Sequence, residues 1–530
     1  MTSGLALGVL AAPAAFAAVA IVALGWPTAS LKRVQQMGVV ASWFAVVVAV
    51  VAAGTTALHG TRESSTIGGN GLGVSVRLDA LSTVMFLMVT LLAVVIFRFS
   101  CTYLEGDERH ARFLGWLAAT IASVEVLVLS GNLAGLFVAW LATSLALHEL
   151  LVFYRDRPRA VIAARKKFIA ARTGDVLLIT AAVLLYRQYD TGNLEQIFRG
   201  VQTSTTVGWS LNAVGVAALC LALAALLKSA QFPTHGWLVE VMETPTPVSA
   251  LLHAGVLNAG PFLALRMAFV LNDAHVASSV LIIVGGFTAL FASVVLLTQP
   301  SIKVALGYSS AAHMGFMLMI CGIGVFPAAL LHLVAHSFYK AHAFLSSGSV
   351  IDEARADKVS IPRRLGSARR VAGSVVIALG VYLLLAMAWR TNITDDPVVV
   401  LIGVILVLGT TQLVAPALDS TGGWSGTSRA VFLALAVTTS FFTLENGAHH
   451  ILASSVPETG TRTALELALF ITVVAAFAAA VIFQIFEPTR PPSRRRRAIA
   501  IHLRNGLYAN AVYDRMVGAL RLRPSQAESA

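Results

Sequence analysis

Runs of about 20 apolar residues, parted by short polar breaks, recur along nearly the whole of this chain. A bilayer core of roughly 30 Å needs a run of about that length for every helix that crosses it. The pattern confines the chain to an all-α polytopic membrane fold. Of its 530 residues 57% are hydrophobic and only 12% charged, a balance that no water-soluble domain of this size carries. A transmembrane barrel would show ten-residue alternation, which is absent.

The runs predict about fifteen spans, near 4–26, 37–57, 80–101, 112–129, 132–154, 172–186, 211–229, 247–270, 276–298, 302–321, 326–346, 371–389, 398–416, 428–443 and 465–486. The first is read as a retained helix, because Met1 to Trp26 lacks the basic n-region of a cleaved signal. Basic clusters follow odd-numbered spans: Lys32 and Arg33, Arg109 and Arg112, Arg155 to Lys167, Lys358 to Arg370, and Arg494 to Arg497. Lys and Arg concentrate in cytoplasmic loops, so one topology accommodates them all, with the N-terminus outside and the C-terminus in the cytoplasm. The expected location is a bacterial inner (plasma) membrane. The formal charge of +12 is largely this topological bias and not a nucleic-acid footprint. The last segment, from Arg494 on, is basic, with Leu503, Leu507, Tyr508, Val512, Tyr513 and Val517 at helical spacing. It reads as an amphipathic tail that rests on anionic lipid or docks a soluble partner.

Cys101, Cys220 and Cys321 lie too far apart to encode a disulfide framework or a zinc site. No dinucleotide fingerprint, phosphate loop or nucleophile elbow is present, so no catalysis is expected in this chain. The chemistry lies in ionisable groups inside apolar runs. A lysine at mid-membrane costs roughly 2.5 to 3.5 kcal/mol and marks an ion path. Of seven lysines, Lys228, Lys303 and Lys340 lie within or at the edge of spans. His253, His313, His332 and His336 add groups that titrate near neutrality, and His332, His336 and Lys340 share one helix face. The carboxylates are Glu125, Glu149 beside His148, Asp175, and Glu240 and Glu243 ahead of span eight. Pro233, Pro245, Pro247, Gly255, Gly260 and Pro261 interrupt the helical ladder around Gln231 to His253, as at ion sites built on broken helices.

The run Lys228-Ser-Ala-Gln-Phe-Pro233 with Thr244-Pro-Thr-Pro-Val-Ser-Ala-Leu-Leu-His253 resembles the signature of antiporter-like proton channels, the distal membrane subunits of respiratory complex I and the Mrp antiporters. Arg172-Thr-Gly-Asp175, Lys303 to Ser310 and His336 to Ala341 match as well. The resemblance implies two inverted five-helix repeats containing broken helices. The expected layout is spans 1–3 in residues 1–111, repeats in 112–270 and 271–416, two further spans in 417–490 and the tail in 491–530. It also implies an ion path through Lys228, His253, Lys303, His336 and Lys340, with Glu125 and Asp175. His148, Glu149, Arg172, Glu240, Glu243, His313 and His332 are accessory candidates. The glutamate that follows the span-five tryptophan in complex I is replaced by Leu141-Ala-Thr-Ser144, so Glu125 or Glu149 is expected in its place, Glu125 by depth. The second half-channel also lacks its late lysine. Trp140 to Leu151, Arg155 to Phe168, His235-Gly-Trp237 and Asn505 to Tyr508 resemble the membrane subunit of DAB-type inorganic carbon pumps. That likeness implies a cation path, most simply for protons, that energises CO2/bicarbonate accumulation. It also implies a large soluble zinc-binding partner of carbonic-anhydrase type on the cytoplasmic face, with no cofactor in this chain. The alternatives are a proton-translocating subunit of an NADH-quinone oxidoreductase or multi-subunit antiporter, and a scaffold that only docks an enzyme.

Overall fold

A computed structural model describes residues 6–26, 30–204, 207–241, 244–348, 368–389, 397–419, 423–460, 462–486 and 494–517. All fifteen expected spans coincide with helices. We label them α1 (Ala11–Gly25), α2 (Leu31–His59), α3 (Ala80–Tyr103), α4 (His110–Leu129), α5 (Leu133–Leu151), α6 (Pro158–Tyr189), α7 (Leu194–Thr203), α8 (Ala213–Lys228), α9 (Gly236–Glu240), α10 (Thr246–Ala254), α11 (Ala259–Arg266), α12 (Ala268–Leu271), α13 (His275–Leu296), α14 (Ile302–Gly322) and α15 (Phe326–Leu345). There follow α16 (Ala368–Ala388), α17 (Pro397–Asp419), α18 (Gly423–Leu452), α19 (Ala464–Phe486), α20 (Arg494–Arg504) and α21 (Ala509–Val517). Eleven of the described helical segments are long and apolar enough to cross a membrane. The polar α15 is not among them.

Packing separates two compact units. One comprises Met1–Gly348 with Leu452–Gly460 and Arg504–Ala530, the other Ser349–Ile451 with Thr461–Leu503. In the second, Val381, Tyr382, Leu385, Ala386 and Phe442 form a core flanked by Trp389 and Phe441. Its α16 and α17 run unbroken, so the interruptions observed among the described residues belong to the first unit. Large apolar side chains such as Val138 (63% exposed), Val176 (63%) and Phe432 (73%) face outward, as lipid-facing residues do.

In the first unit, Asp79, Asn132, Asn193 and Asn212 each accept a hydrogen bond from a backbone N–H in the first turn of α3, α5, α7 and α8. These caps satisfy donors that a helix start leaves orphaned. The α13–α14 contact is close because Gly285 and Gly315 oppose one another: a Cβ on Gly285 would sit 2.6 Å from the Gly315 carbonyl oxygen.

Two features depart from the sequence expectation. Between α2 and α3 lie two short antiparallel pairs, Arg62–Glu63 with Arg77–Leu78 and Ile67–Gly69 with Leu72–Val74. And α6 begins at Pro158, so Arg165, Lys166 and Lys167 lie on the helix and not in a loop before it. Both lysines are buried because each finds partners inside the protein.

Candidate functional site

Lys228 is the last residue of α8, where the chain leaves the helix before the short α9. Its Nζ donates to the Trp140 carbonyl oxygen (3.3 Å) and lies 4.2 Å from the Trp140 ring centroid. The Trp140 indole N–H donates to Asp175 Oδ1 (2.9 Å), whose other oxygen is 2.8 Å from the Arg172 guanidinium. Lys167 Nζ donates to the Ser144 carbonyl (2.7 Å) and approaches Ser144 Oγ (3.2 Å), to which Arg172 also donates (3.1 Å). Lys167 and Lys228 line one small cavity with Leu147, Ala171, Trp237 and Leu252. Among the described residues the carboxylate that reaches this chamber is Asp175, through Trp140 and Arg172.

Neither glutamate expected there takes that place. Glu125 is fully buried on α4 with both carboxyl oxygens free of hydrogen bonds. Glu149 faces Arg155 (3.5 Å) and Arg112 (3.8 Å), and its neighbour His148 packs on Phe168. Depth alone was a poor guide because helix rotation, which hydropathy does not report, decides what a buried carboxyl faces.

From Leu252 in the chamber wall the chain passes directly to His253, which is fully buried and stacks on Phe344 with centroids 4.3 Å apart. One residue later the helix breaks. A single 3-10 turn, Val256–Asn258, joins α10 to α11, and the freed carbonyls are taken up locally. Ala254 O accepts from Asn258 Nδ2 (2.7 Å) and Leu257 O from Ser229 Oγ (3.2 Å). Asn258 also donates to Ser337 Oγ (2.7 Å), tying the break to α15. Non-helical backbone survives at membrane depth only where such partners exist.

On α15, the fully buried Lys340 donates to the Leu306 carbonyl of α14 (3.3 Å). His336, one turn earlier, lies 5.0 Å from the His313 ring and 6.4 Å from the His332 ring. His313 Nδ1 and His332 Nε2 are 2.9 Å apart, a direct bond in which one nitrogen donates and the other accepts. Such a pair holds one proton between two bases and can pass it in either direction. The ring nitrogens of His253 and His336 make no hydrogen bond to the protein. Lys303, in the first turn of α14, stands apart from this cluster: it donates to Thr246 Oγ1 (3.2 Å), which donates to the Tyr103 hydroxyl (3.3 Å).

Glu240 ends α9 and receives Lys166 Nζ at 2.6 Å. Lys166 is also paired with Asp514 and donates to Asn510 Oδ1 (3.2 Å), while the Tyr513 hydroxyl donates to the Lys166 carbonyl (3.1 Å). The C-terminal helix α21 is thus seated on its own chain, a third outcome for a segment expected on lipid or on a partner. Gly506 (φ +58°), just before it, packs against Tyr308, where a Cβ would lie 2.7 Å from the hydroxyl. Glu243 lies outside the described residues. Among the described residues no group of three His, Cys, Asp or Glu side chains is placed to hold a metal ion.

Sequence reasoning missed Lys166, Lys167, Ser144 and the α21 contacts. The available signal was the spacing Lys167, Ala171, Asp175, which repeats every four residues along one face of α6.

A bundle holding a lysine-headed chamber, a broken helix and a histidine cluster around a second buried lysine defines an ion-translocating membrane subunit of the antiporter-like class. Residues 130–394 match the NADH:quinone oxidoreductase/Mrp antiporter transmembrane family, and residues 65–114 the complex I chain 5 N-terminus. The chain belongs to that family and, within it, to the inorganic carbon transporter subunits of DabB type. It is 38% identical over 461 residues to the probable inorganic carbon transporter subunit DabB2 of Halothiobacillus neapolitanus, covering 86% of this chain and 82% of that one. The DabB of Hydrogenovibrio crunogenus is 38% identical over 424 residues, 73% of this chain and 79% of its own. Chain 5 of the Synechocystis NAD(P)H-quinone oxidoreductase is 34% identical over 54% of this chain and 43% of its own. In fold, the chain resembles the Mrp complex of Dietzia sp. (TM-score 0.60, 24% identity), spanning 97% of this chain and 61% of that one. It also resembles an archaeal sulfane sulfur reductase membrane complex (TM-score 0.58, 16% identity), with 97% and 99% covered.

Proposed function

We propose that the chain conducts a cation, most simply the proton, as the energising subunit of a complex that accumulates inorganic carbon in a bacterial inner membrane. The N-terminus faces outward and the C-terminal segment the cytoplasm, where it meets a soluble zinc-binding partner of carbonic-anhydrase type that performs the catalysis. The observation that carries this reading is the run of buried ionisable groups from Lys228 through His253 to Lys340, His336 and the His313–His332 pair. Ionisable side chains are too costly at that depth to serve packing alone. The names borne by the relatives from Halothiobacillus and Hydrogenovibrio support the carbon-accumulating role.

The energetics suffice. One charge crossing 100 mV supplies about 2.3 kcal/mol, enough to bias a coupled equilibrium roughly 50-fold. The test is purification of the tagged chain in mild detergent from its own host, with mass spectrometry and zinc analysis of what accompanies it. One large zinc-containing soluble protein, with bicarbonate uptake lost in Lys228→Met cells, is the expected result. Small hydrophobic subunits or redox proteins without zinc would overturn it in favour of an antiporter or quinone-reductase role.

A further inference from the structure

Lys166 and Lys167 are adjacent in sequence, both buried, and opposite in electrostatic circumstance. Lys166 faces two carboxylates, Glu240 and Asp514, which compensate its charge. Lys167, 4% exposed, points the other way, into the cavity it shares with Lys228. Its acceptors are the Ser144 carbonyl and hydroxyl. Around it stand Ser144, Leu147 and His148 from α5, Ala171, Arg172 and Asp175 from its own helix, and Lys228 from α8. Glu149 is turned towards Arg112 and Arg155.

The charge count is decisive. Among the described residues Asp175 is the one carboxylate acting on Lys167, and it is already paired with Arg172, whose guanidinium does not release its proton. Two ammonium groups would then share one small cavity with no counter-ion of their own among the described residues. Burial and like charge both oppose that state.

We propose that Lys167 is a proton-carrying residue of this chamber and shares a single proton with Lys228. The inference rests on the proton-conducting role set out above. In the transfer an N–H bond of the Lys167 ammonium breaks, its electron pair returns to Nζ, and an N–H bond forms at the neutral Lys228 amine. The pair keeps a net charge of +1 throughout. Each lysine is held by a carbonyl, Ser144 or Trp140, which accepts from an ammonium and, more weakly, from an amine. The proton can therefore leave without loss of the contact that positions the side chain. Lys167 lies beside the clamp that binds α21, which makes it the member of the pair nearer that end of the bundle.

The test uses the complex purified from its host and reconstituted in vesicles enclosing a pH-sensitive dye, with a potassium diffusion potential imposed. Wild type, Lys167→Gln, Lys167→Arg and Lys228→Gln are compared at equal protein. A carrier predicts that Gln and Arg at 167 both lower the proton flux about a hundredfold, because neither side chain exchanges a proton. Flux within about twofold of wild type in Lys167→Arg would make the residue a fixed charge, and in Lys167→Gln a mere hydrogen-bond donor, and either result overturns the proposal. A wild type that moves no protons sinks the conducting role itself. Should the variants fail to assemble, nitrogen-15 NMR of labelled lysines in the Lys340→Arg protein decides. A neutral-amine resonance at neutral pH is expected, and ammonium signals alone would refute a shared proton.

Discussion

Asp79 lies just ahead of α3, fully buried, at the centre of an ion network that closes one end of the bundle. It accepts from Arg77 Nε (2.7 Å), from Arg266 Nη1 (2.6 Å) and Nη2 (3.3 Å), and from the Ser82 backbone N–H (2.8 Å). In Asp79→Asn the remaining carbonyl oxygen can still cap α3, but the amide turns a donor towards two guanidiniums. Arg77 keeps Glu63 (2.7 Å) and Glu195 (2.6 Å), whereas Arg266, 2% exposed at the end of the broken helix, is left with two neutral acceptors, the Ser82 hydroxyl (2.6 Å) and the retained carbonyl oxygen (3.3 Å), and no carboxylate. Breaking a buried pair so as to strand one charge costs about 3 to 5 kcal/mol, and here nearly all of it falls on Arg266. Adding Arg266→Met removes the stranded charge and should restore much of the loss. The assay is the apparent unfolding midpoint of detergent-purified protein at one scan rate for the two single variants and the double. Burial would raise the Asp79 carboxyl, but Arg266 and Arg77 override it and hold it well below the usual carboxylate range. A depressed carboxyl contributes stability that is complete above its unfolded pKa of about 3.9 and lost as pH falls towards the folded value. The gap between wild type and Asp79→Asn should thus stay constant from neutrality to about pH 4 and close only in stronger acid. A single variant within about 1 kcal/mol of wild type, or a double no better than Asp79→Asn, would refute the network argument.

Lys340→Met should lower vesicle proton flux about a hundredfold while the complex elutes unchanged, since the buried amine is the hub of the histidine cluster. Asp175→Asn should weaken flux strongly and Glu125→Gln change it by less than about twofold, because only the first carboxyl reaches Trp140 and Arg172; equal losses in the same assay would contradict the chamber geometry. Asp514→Asn leaves Lys166 with Glu240 and should cost about 1 kcal/mol, whereas Asp514→Asn with Glu240→Gln strands a buried lysine and should cost about 3 to 5 kcal/mol, read as faster trypsin cleavage near Arg504 and Arg515. Gly315→Leu should cost about 1 to 3 kcal/mol or more by forcing α13 and α14 apart, measured as a lowered unfolding midpoint; no change would mean the helices are not held at that spacing.

The span count was legible because a bilayer allows few solutions, and a run long enough to cross it cannot hide in sequence. The breaks were legible for a related reason: Pro245, Pro247 and Gly255 leave backbone groups that need partners, and the positions of α10 and α11 follow. What the sequence withheld was orientation about the helix axis and contact between distant segments. Glu125 and Asp175 are both acidic residues in apolar runs, yet one faces no partner and the other anchors Trp140. Lys166 and Lys167 read as loop charge because their compensation comes from Glu240, Asp514 and Ser144, none of them nearby in sequence. The Arg62 to Leu78 hairpins have strands of two or three residues, too short for any alternation to register.

The same adjacency explains how chamber and C-terminal segment can be one device. A helix turn on α6 carries the clamp on one side and the chamber lysine on the other. The short α9 repeats the arrangement, with Gly236 against Asn510 and Trp237 in the chamber wall. Two elements therefore each touch both α21 and the Lys167–Lys228 cavity. Gly236 has no side chain because Asn510 occupies the space where one would lie, so α9 and α21 cannot shift independently. Interiors packed this closely transmit displacement instead of absorbing it. A change in which lysine of the chamber carries charge alters the field on α6 and α9 together, and these are the two surfaces that hold α21 in place. Coupling between ion flow and whatever binds that end of the protein then needs no further moving part.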